Sequence, residues 1–362
     1  MPSLAFETVD AFTSTVFAGN PAAVIVLSKE QVQEIDATQM QLIAREFNLS
    51  ETAFVCALED KVEVKNGEVD YLIRWFTPAA EVPLCGHATL ASSHCLFTKH
   101  HPKARQINFQ TLHSGMLTIQ RRDNNRIELD FPADVSSHSR AIPKHSDRWS
   151  MIIRALSNAL GVEAGPHVVA MCDSATGPLI EFSADGINLE TAKWKPDAFT
   201  VEVSTFLVIV TQAASRAERQ DVSSRVFGPL LGVPEDPVTG FAHTVLGPYW
   251  GKASAAPHAR LLAAKGLTTW SKDSMECKQV SERGGTLIVR WNETKSHRVG
   301  LEGSAKTVMR GTLELALHSA MSHASPRRSL RFWTWDVFTS SPFHGNPAAV
   351  VVLPTSTSPE FD

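Results

Sequence analysis

Apolar residues in this chain gather in short runs closed by glycine, proline or asparagine, a pattern that predicts strands and tight turns. Residues 4–13 and 22–27 read as two strands joined by a turn at Gly19-Asn20-Pro21, where glycine and asparagine tolerate positive φ. Over 31–47 the period changes. Ile35, Met40, Ile43, Ala44 and Phe47 recur at helical spacing, so a single helix is predicted there, ended by Asn48. Strands follow over 52–58, with Ser50-Glu51 at its mouth, and over 69–76. The small-residue segment 88–97 reads as a buried helix. Residues 106–112 and 116–120 form a hairpin about Gly115, and 126–131 is a further strand. In the second half, 205–212, 286–291 and 307–317 read as strands. The Ser-, His-, Arg- and Lys-rich stretch 134–149 reads as a linker or surface loop.

One phrase occurs twice. Arg74-Trp75-Phe76-Thr77-Pro78 leads to Glu81-Val82-Pro83-Leu84-Cys85-Gly86-His87-Ala88, and Arg225-Val226-Phe227-Gly228-Pro229 leads to Glu235-Asp236-Pro237-Val238-Thr239-Gly240-Phe241-Ala242. Gln110 and Gly115 are echoed by Gln279 and Gly284. A unit repeated once at this spacing predicts two similar domains whose helix starts, at Gly86 and Gly240, point into one cleft. The predicted class is α+β, with domains at 1–133 and 150–320 joined through 134–149. The repeats differ where chemistry would sit: Val82 stands opposite Asp236, and His87 opposite Phe241. A further repeat lies in 321–362, where 336–353 matches 10–27 at 13 of 18 positions. This segment reads as a linker plus a truncated copy of the opening hairpin, reaching no counterpart of Glu51 or Gly86. A lone hairpin is marginal in water, so docking on a surface groove or sheet edge is expected.

Composition narrows the function classes. The 362 residues leave room for two cores, and a formal charge of -4 makes no electrostatic case for nucleic acid or an acidic membrane. Five cysteines without C-x-x-C spacing argue against a disulfide framework and a structural zinc site. The longest apolar runs are strand-sized, and no basic region precedes an apolar run at the start. A cytoplasmic protein acting on a small molecule is the expectation, with a homodimer open to it as an assembly.

Three residues carry the candidate chemistry. Glu51, at the edge of an apolar strand, reads on position alone as a solvated carboxylate; partial burial would instead make it a general acid/base. Asp236 reads either as a helix-capping carboxylate or as a cleft residue that binds substrate. His87 reads as a structural histidine, or as a contact at a helix start whose free amides suit a carboxylate and whose dipole favours neutral imidazole. Cys85 precedes a helix-opening glycine, the place for an acidified thiol. A two-thiol racemase would need a partner cysteine, and Thr239 stands at the matching position, so Cys85 reads as a small buried residue. Dinucleotide, P-loop, zinc-protease and serine-hydrolase signatures are absent.

Gly19-Asn20-Pro21-Ala22-Ala23, Leu49-Ser50-Glu51-Thr52-Ala53, Arg74-Trp75-Phe76-Thr77-Pro78, Cys85-Gly86-His87-Ala88-Thr89 and Glu235-Asp236-Pro237-Val238-Thr239-Gly240 together resemble the phenazine biosynthesis PhzF-like family. The resemblance runs from about Phe6 to Leu317. It implies a diaminopimelate epimerase-like fold, with two pseudo-symmetric domains, each a β-barrel-like sheet wrapped around a central helix. It also implies a cofactor-independent isomerase in secondary metabolism. Glu51 would be the acid/base, with Gly86, His87, Asp236, Gly240 and Phe241 around the substrate. The family pattern has serine where Phe241 stands, which implies an altered substrate or, alternatively, a catalytically silent binding protein.

Overall fold

The computed structural model describes residues 3–59, 62–138, 140–203, 205–230, 233–291, 297–315, 332–337 and 346–351. Strand β1 (Leu4–Ala11) pairs antiparallel with β2 (Asn20–Leu27), and β3 (Glu51–Ala57) lies parallel to β2. Strand β4 (Glu68–Phe76) runs antiparallel to β3 and carries the short β5 (Glu81–Val82) antiparallel and β6 (Gln106–Gln110) parallel. Strands β7 (Met116–Arg121) and β8 (Ile127–Pro132) follow antiparallel. Helices α1 (Lys29–Glu34), α2 (Ala37–Phe47) and α3 (Gly86–Cys95) complete this half, and α4 (Asp147–Leu160) and α5 (Asp197–Glu202) belong to the next.

The second half comprises β9 (Val168–Asp173), β10 (Pro178–Phe182), β11 (Val208–Ala213), β12 (Val222–Gly228), β13 (Val233–Asp236), β14 (Met275–Gln279), β15 (Gly285–Trp291) and β16 (Arg298–Gly303). These strands pair with corresponding neighbours in the same directions as β1–β8. Helices α6 (Gly240–Gly251) and α7 (Ala256–Lys265) occupy the place that α3 has in the first half. Strand β16 also pairs with β8, and β17 (Ala305–Leu313) pairs with β1, so among the described residues seventeen strands form one continuous sheet. Residues 305–313 thus extend the sheet of the first half, although the sequence grouped them with the second.

Helix α3 packs against β1, β2, β3, β8 and β17 and is buried along nearly its whole length. Its small polar residues fit there because their hydroxyls bond the preceding turn: Thr89 to the Cys85 carbonyl at 2.5 Å, Ser92 to Ala88 and Ser93 to Thr89, both at 2.7 Å. The repeated Arg–Glu pair does the same work in each half. Arg74 holds Glu81 through two bonds of 2.8 Å, and Arg225 holds Glu235 at 2.7 and 2.6 Å. Each fork ties a strand to the short strand that leads into the helix start.

Three local expectations differ. The single helix over 31–47 is two helices, because Ser28 and Asp36 each build a capping box, with Gln31 and Gln39, and Ile35 between them is extended. Asn20 is not a turn residue: it is the fully buried first residue of β2, and positive φ falls on Phe12, Phe17 and Gly19. The stretch 134–149 ends inside α4, where Ser146 accepts the amide of Trp149.

In the tail, β18 (Phe332–Val337) and β19 (Asn346–Val351) form a separate two-stranded sheet. Asp336 faces Pro347 and Val337 faces Asn346, the register in which Asp10 faces Pro21 and Ala11 faces Asn20. Residues 338–345, with Phe338 and Phe343, lie outside the described residues.

Candidate active site

Helices α3 and α6 meet end to end. A Cβ on Gly86 would come 3.2 Å from the Gly240 α-carbon, and one on Gly240 would come 3.3 Å from that of Gly86. Neither helix start has a side-chain cap. Two positive dipole ends therefore converge with first-turn amides unclaimed by cap side chains, an arrangement that favours an anion between them.

Beside this junction lies one polar network drawn from both halves. Glu51, at the start of β3, places Oε2 3.0 Å from His87 Nε2. His87 Nε2 also lies 3.2 Å from Ser50 Oγ, and the buried Glu51 Oε2 has no hydrogen-bond donor beside it other than that imidazole. Ser50 Oγ donates in turn to Asn20 Oδ1 at 3.1 Å. The Asn20 amide crosses to the second half, donating to Asp236 Oδ1 at 2.8 Å and to the Val238 carbonyl at 2.9 Å. Asp236 Oδ2 accepts from Thr239 Oγ1 at 2.5 Å, and Gln279 steadies the loop through the Asp236 carbonyl at 2.6 Å and the Thr239 amide at 2.9 Å.

Proton positions follow from this inventory. Both Asn20 amide hydrogens are used by Asp236 and Val238, which leaves His87 Nδ1, 3.2 Å from Asn20, to face Cys85 Sγ at 3.4 Å as a donor. Burial opposes charge on His87, but Cys85 and the Glu51 carboxylate outweigh it, and the imidazole titrates well above its ordinary value. The sequence-based expectation of a neutral imidazole is therefore overturned by the carboxylate at Nε2. Burial raises Cys85 and, despite His87 nearby, also raises Asp236.

Glu51, Cys85 and His87 form the one group of three metal-donor residues found among the described residues, with ligand atoms within 4.8 Å of one another. Glu51 lies nearest Nε2 of His87, at 3.0 Å, and Cys85 nearest Nδ1, at 3.4 Å. A cavity of about 310 Å³ lined by Leu58, Val62 and Lys65 shares no residue with the network.

The fold thus brings Glu51, Gly86, His87, Asp236 and Gly240 together. Phe241, the next residue of α6, is half-buried against the main core. Asn20, Ser50, Thr239 and Gln279 were not singled out as site residues. The echo of Gln110 in Gln279 was the available signal for the last, and the G-N-P run, read as a turn, hid Asn20.

Residues 9–311 match the family described as phenazine biosynthesis-like protein. The chain belongs to that family. A Halalkalibacterium halodurans protein described as an uncharacterized isomerase is 38% identical over 309 residues, 85% of this chain and 97% of its own. The mouse phenazine biosynthesis-like domain-containing protein 2 is 35% identical over 84% of this chain and 96% of its own. Among solved structures, a PhzF family protein of Enterococcus faecalis is 32% identical, covers 87% of this chain and all of its own, and superposes with a TM-score of 0.66. Family and fold agree with the α+β expectation. Among the described residues no helix is long and apolar enough to cross a membrane.

Proposed function

We propose that this protein is an isomerase that moves a proton between carbons of a small unsaturated carboxylic acid, without a cofactor, in secondary metabolism. The observation that carries the reading is the buried Glu51 Oε2, whose one neighbouring donor is His87 Nε2 at 3.0 Å. An acceptor held this way can take a proton from an acidic allylic C–H and return it elsewhere on the same face. The substrate carboxylate would lie at the uncapped starts of α3 and α6, where developing enolate charge is also stabilised. His87, as a cation, and Asp236, held by Asn20 and Thr239, would orient it. The duplicated strand pairing and paired helix starts support two pseudo-symmetric domains closing around this site. Isomerase-named relatives support the reaction class.

The test is turnover in D2O of small unsaturated acids, followed by NMR for carbon-bound deuterium. Glu51→Gln keeps size and polarity but cannot accept the proton, so turnover should fall about 10²–10⁴-fold. A near-wild-type rate in that variant would overturn the assignment.

A further inference from the structure

The turn between β14 and β15, residues 279–284, holds both of the loops that meet in the polar network. Its first end holds the Asp236 loop. Gln279 bonds the Asp236 carbonyl and the Thr239 amide, and Ser281 Oγ donates to the Pro237 carbonyl at 2.7 Å. Its far end holds residues 12–19 of the first half, which carry the chain from β1 to Asn20. Arg283 Nε donates to the Gly19 carbonyl at 2.8 Å, and one terminal nitrogen reaches Asp10 Oδ1 at 2.7 Å and the Ala18 carbonyl at 3.2 Å. Backbone bonds run alongside: the Gly19 amide donates to the Gly284 carbonyl at 2.7 Å, and the Thr286 amide to the Phe12 carbonyl at 2.9 Å.

Residues 12–19 need this hold. Phe12 and Phe17 both have positive φ, 61° and 65°, which a residue with a side chain adopts only at a cost in free energy. The Phe17 ring is exposed and supplies little packing in return. Asp10 is buried; its Oδ2 accepts the Phe17 amide at 2.7 Å, and Arg283 is its cationic partner. One guanidinium thus neutralises a buried carboxylate and grips the two carbonyls just before Asn20. Asn20 then donates to Asp236 at 2.8 Å. Donor and acceptor of that bond between the halves are both anchored on the same short turn.

We infer that Arg283 is a positioning residue of the site: by gripping Gly19 and Asp10 it sets Asn20 against Asp236, and so fixes where Asp236 presents its carboxylate to substrate. The inference rests on the proposed isomerase site and adds a residue that touches neither the substrate nor the reacting atoms.

The side-chain amide of Asn20 tests this without a substrate. Its NMR signals, assigned by their loss in Asn20→Ala, should exchange slowly with solvent in the wild-type protein. Arg283→Lys keeps a cation beside Asp10 but cannot also fork onto the Gly19 carbonyl. It should melt close to the wild type, yet its Asn20 amide should exchange at least about tenfold faster. Arg283→Ala should show a larger effect together with lost stability; where it fails to fold, the lysine variant decides alone. In the D2O turnover assay Arg283→Lys should lower kcat severalfold, and should leave it unchanged when Asn20 is already alanine, because nothing then remains to be positioned. An Asn20 amide as protected in Arg283→Lys as in wild type overturns the inference, as does an equal loss of kcat in both backgrounds. The amide measurement needs no turnover, so failure of this inference is distinguishable from failure of the isomerase reading, which Glu51→Gln tests.

Discussion

Gly86 and Gly240 face each other so closely that a methyl group on either would press on the α-carbon of the other, at 3.2 and 3.3 Å. Neither glycine is required for positive φ; the requirement is close approach of two helix starts. Gly86→Ala or Gly240→Ala should therefore cost about 1–3 kcal/mol, as overpacking does. Each should also depress turnover by parting the amides around the substrate. Denaturant unfolding checks the first effect; unchanged stability in both variants would mean that the junction yields freely.

His243 gives a pH prediction with a definite sign. It is fully buried one turn into α6, with Nδ1 2.8 Å from the Thr239 carbonyl and Nε2 without a partner. Burial pushes its pKa down from 6.5 to about 4. The unfolded chain then binds the proton first as pH falls, so the contribution of His243 is complete above about pH 6.5 and is lost as pH falls towards 4. The loss amounts to about 3 kcal/mol at most. His87 and Asp236, both raised, run the other way: their contributions are lost as pH rises. The difference in stability between wild type and His243→Gln isolates the histidine. It should change steadily between pH 6.5 and 4, and a flat difference would contradict a neutral, buried imidazole.

Removing residues 319–362 should leave the main fold intact. The strands of the tail pair with each other in a sheet of their own, and the place they imitate beside β17 and β3 is held by β1 and β2. The shortened protein should melt cooperatively within a few degrees of the full chain. Aggregation or loss of cooperative melting would show that the repeated hairpin supports the sheet.

Much of this protein was legible in its residues because the information is local or repeated. Short apolar runs bounded by turn residues placed β1, β2, β3, β4 and the β6–β7 hairpin; the first three are buried on both faces and so read as near-continuous apolar segments. The duplicated Arg-x-Phe-x-Pro phrase marks both helix starts, and the motifs around Glu51, His87 and Asp236 single out those three residues. Helix α4 was missed although Trp149, Ile152, Ala155, Leu156 and Ala159 are spaced as a helix face requires; its capping serine had been absorbed into an apparent linker. Other features depended on tertiary structure. No local pattern reveals that residues 298–313 run along both edges of the first half's sheet, because strand pairing at long separation is decided by which edges remain open. No motif shows that Asn20 bridges the halves, because its role lies in two hydrogen bonds to residues more than two hundred positions away. The charge on His87 was likewise misjudged from sequence: the helix dipole was visible there, but the carboxylate at 3.0 Å and the thiol behind the ring exist only once the chain is folded. Chemistry at this site is fixed by residue types, and protonation is fixed by their neighbours in space.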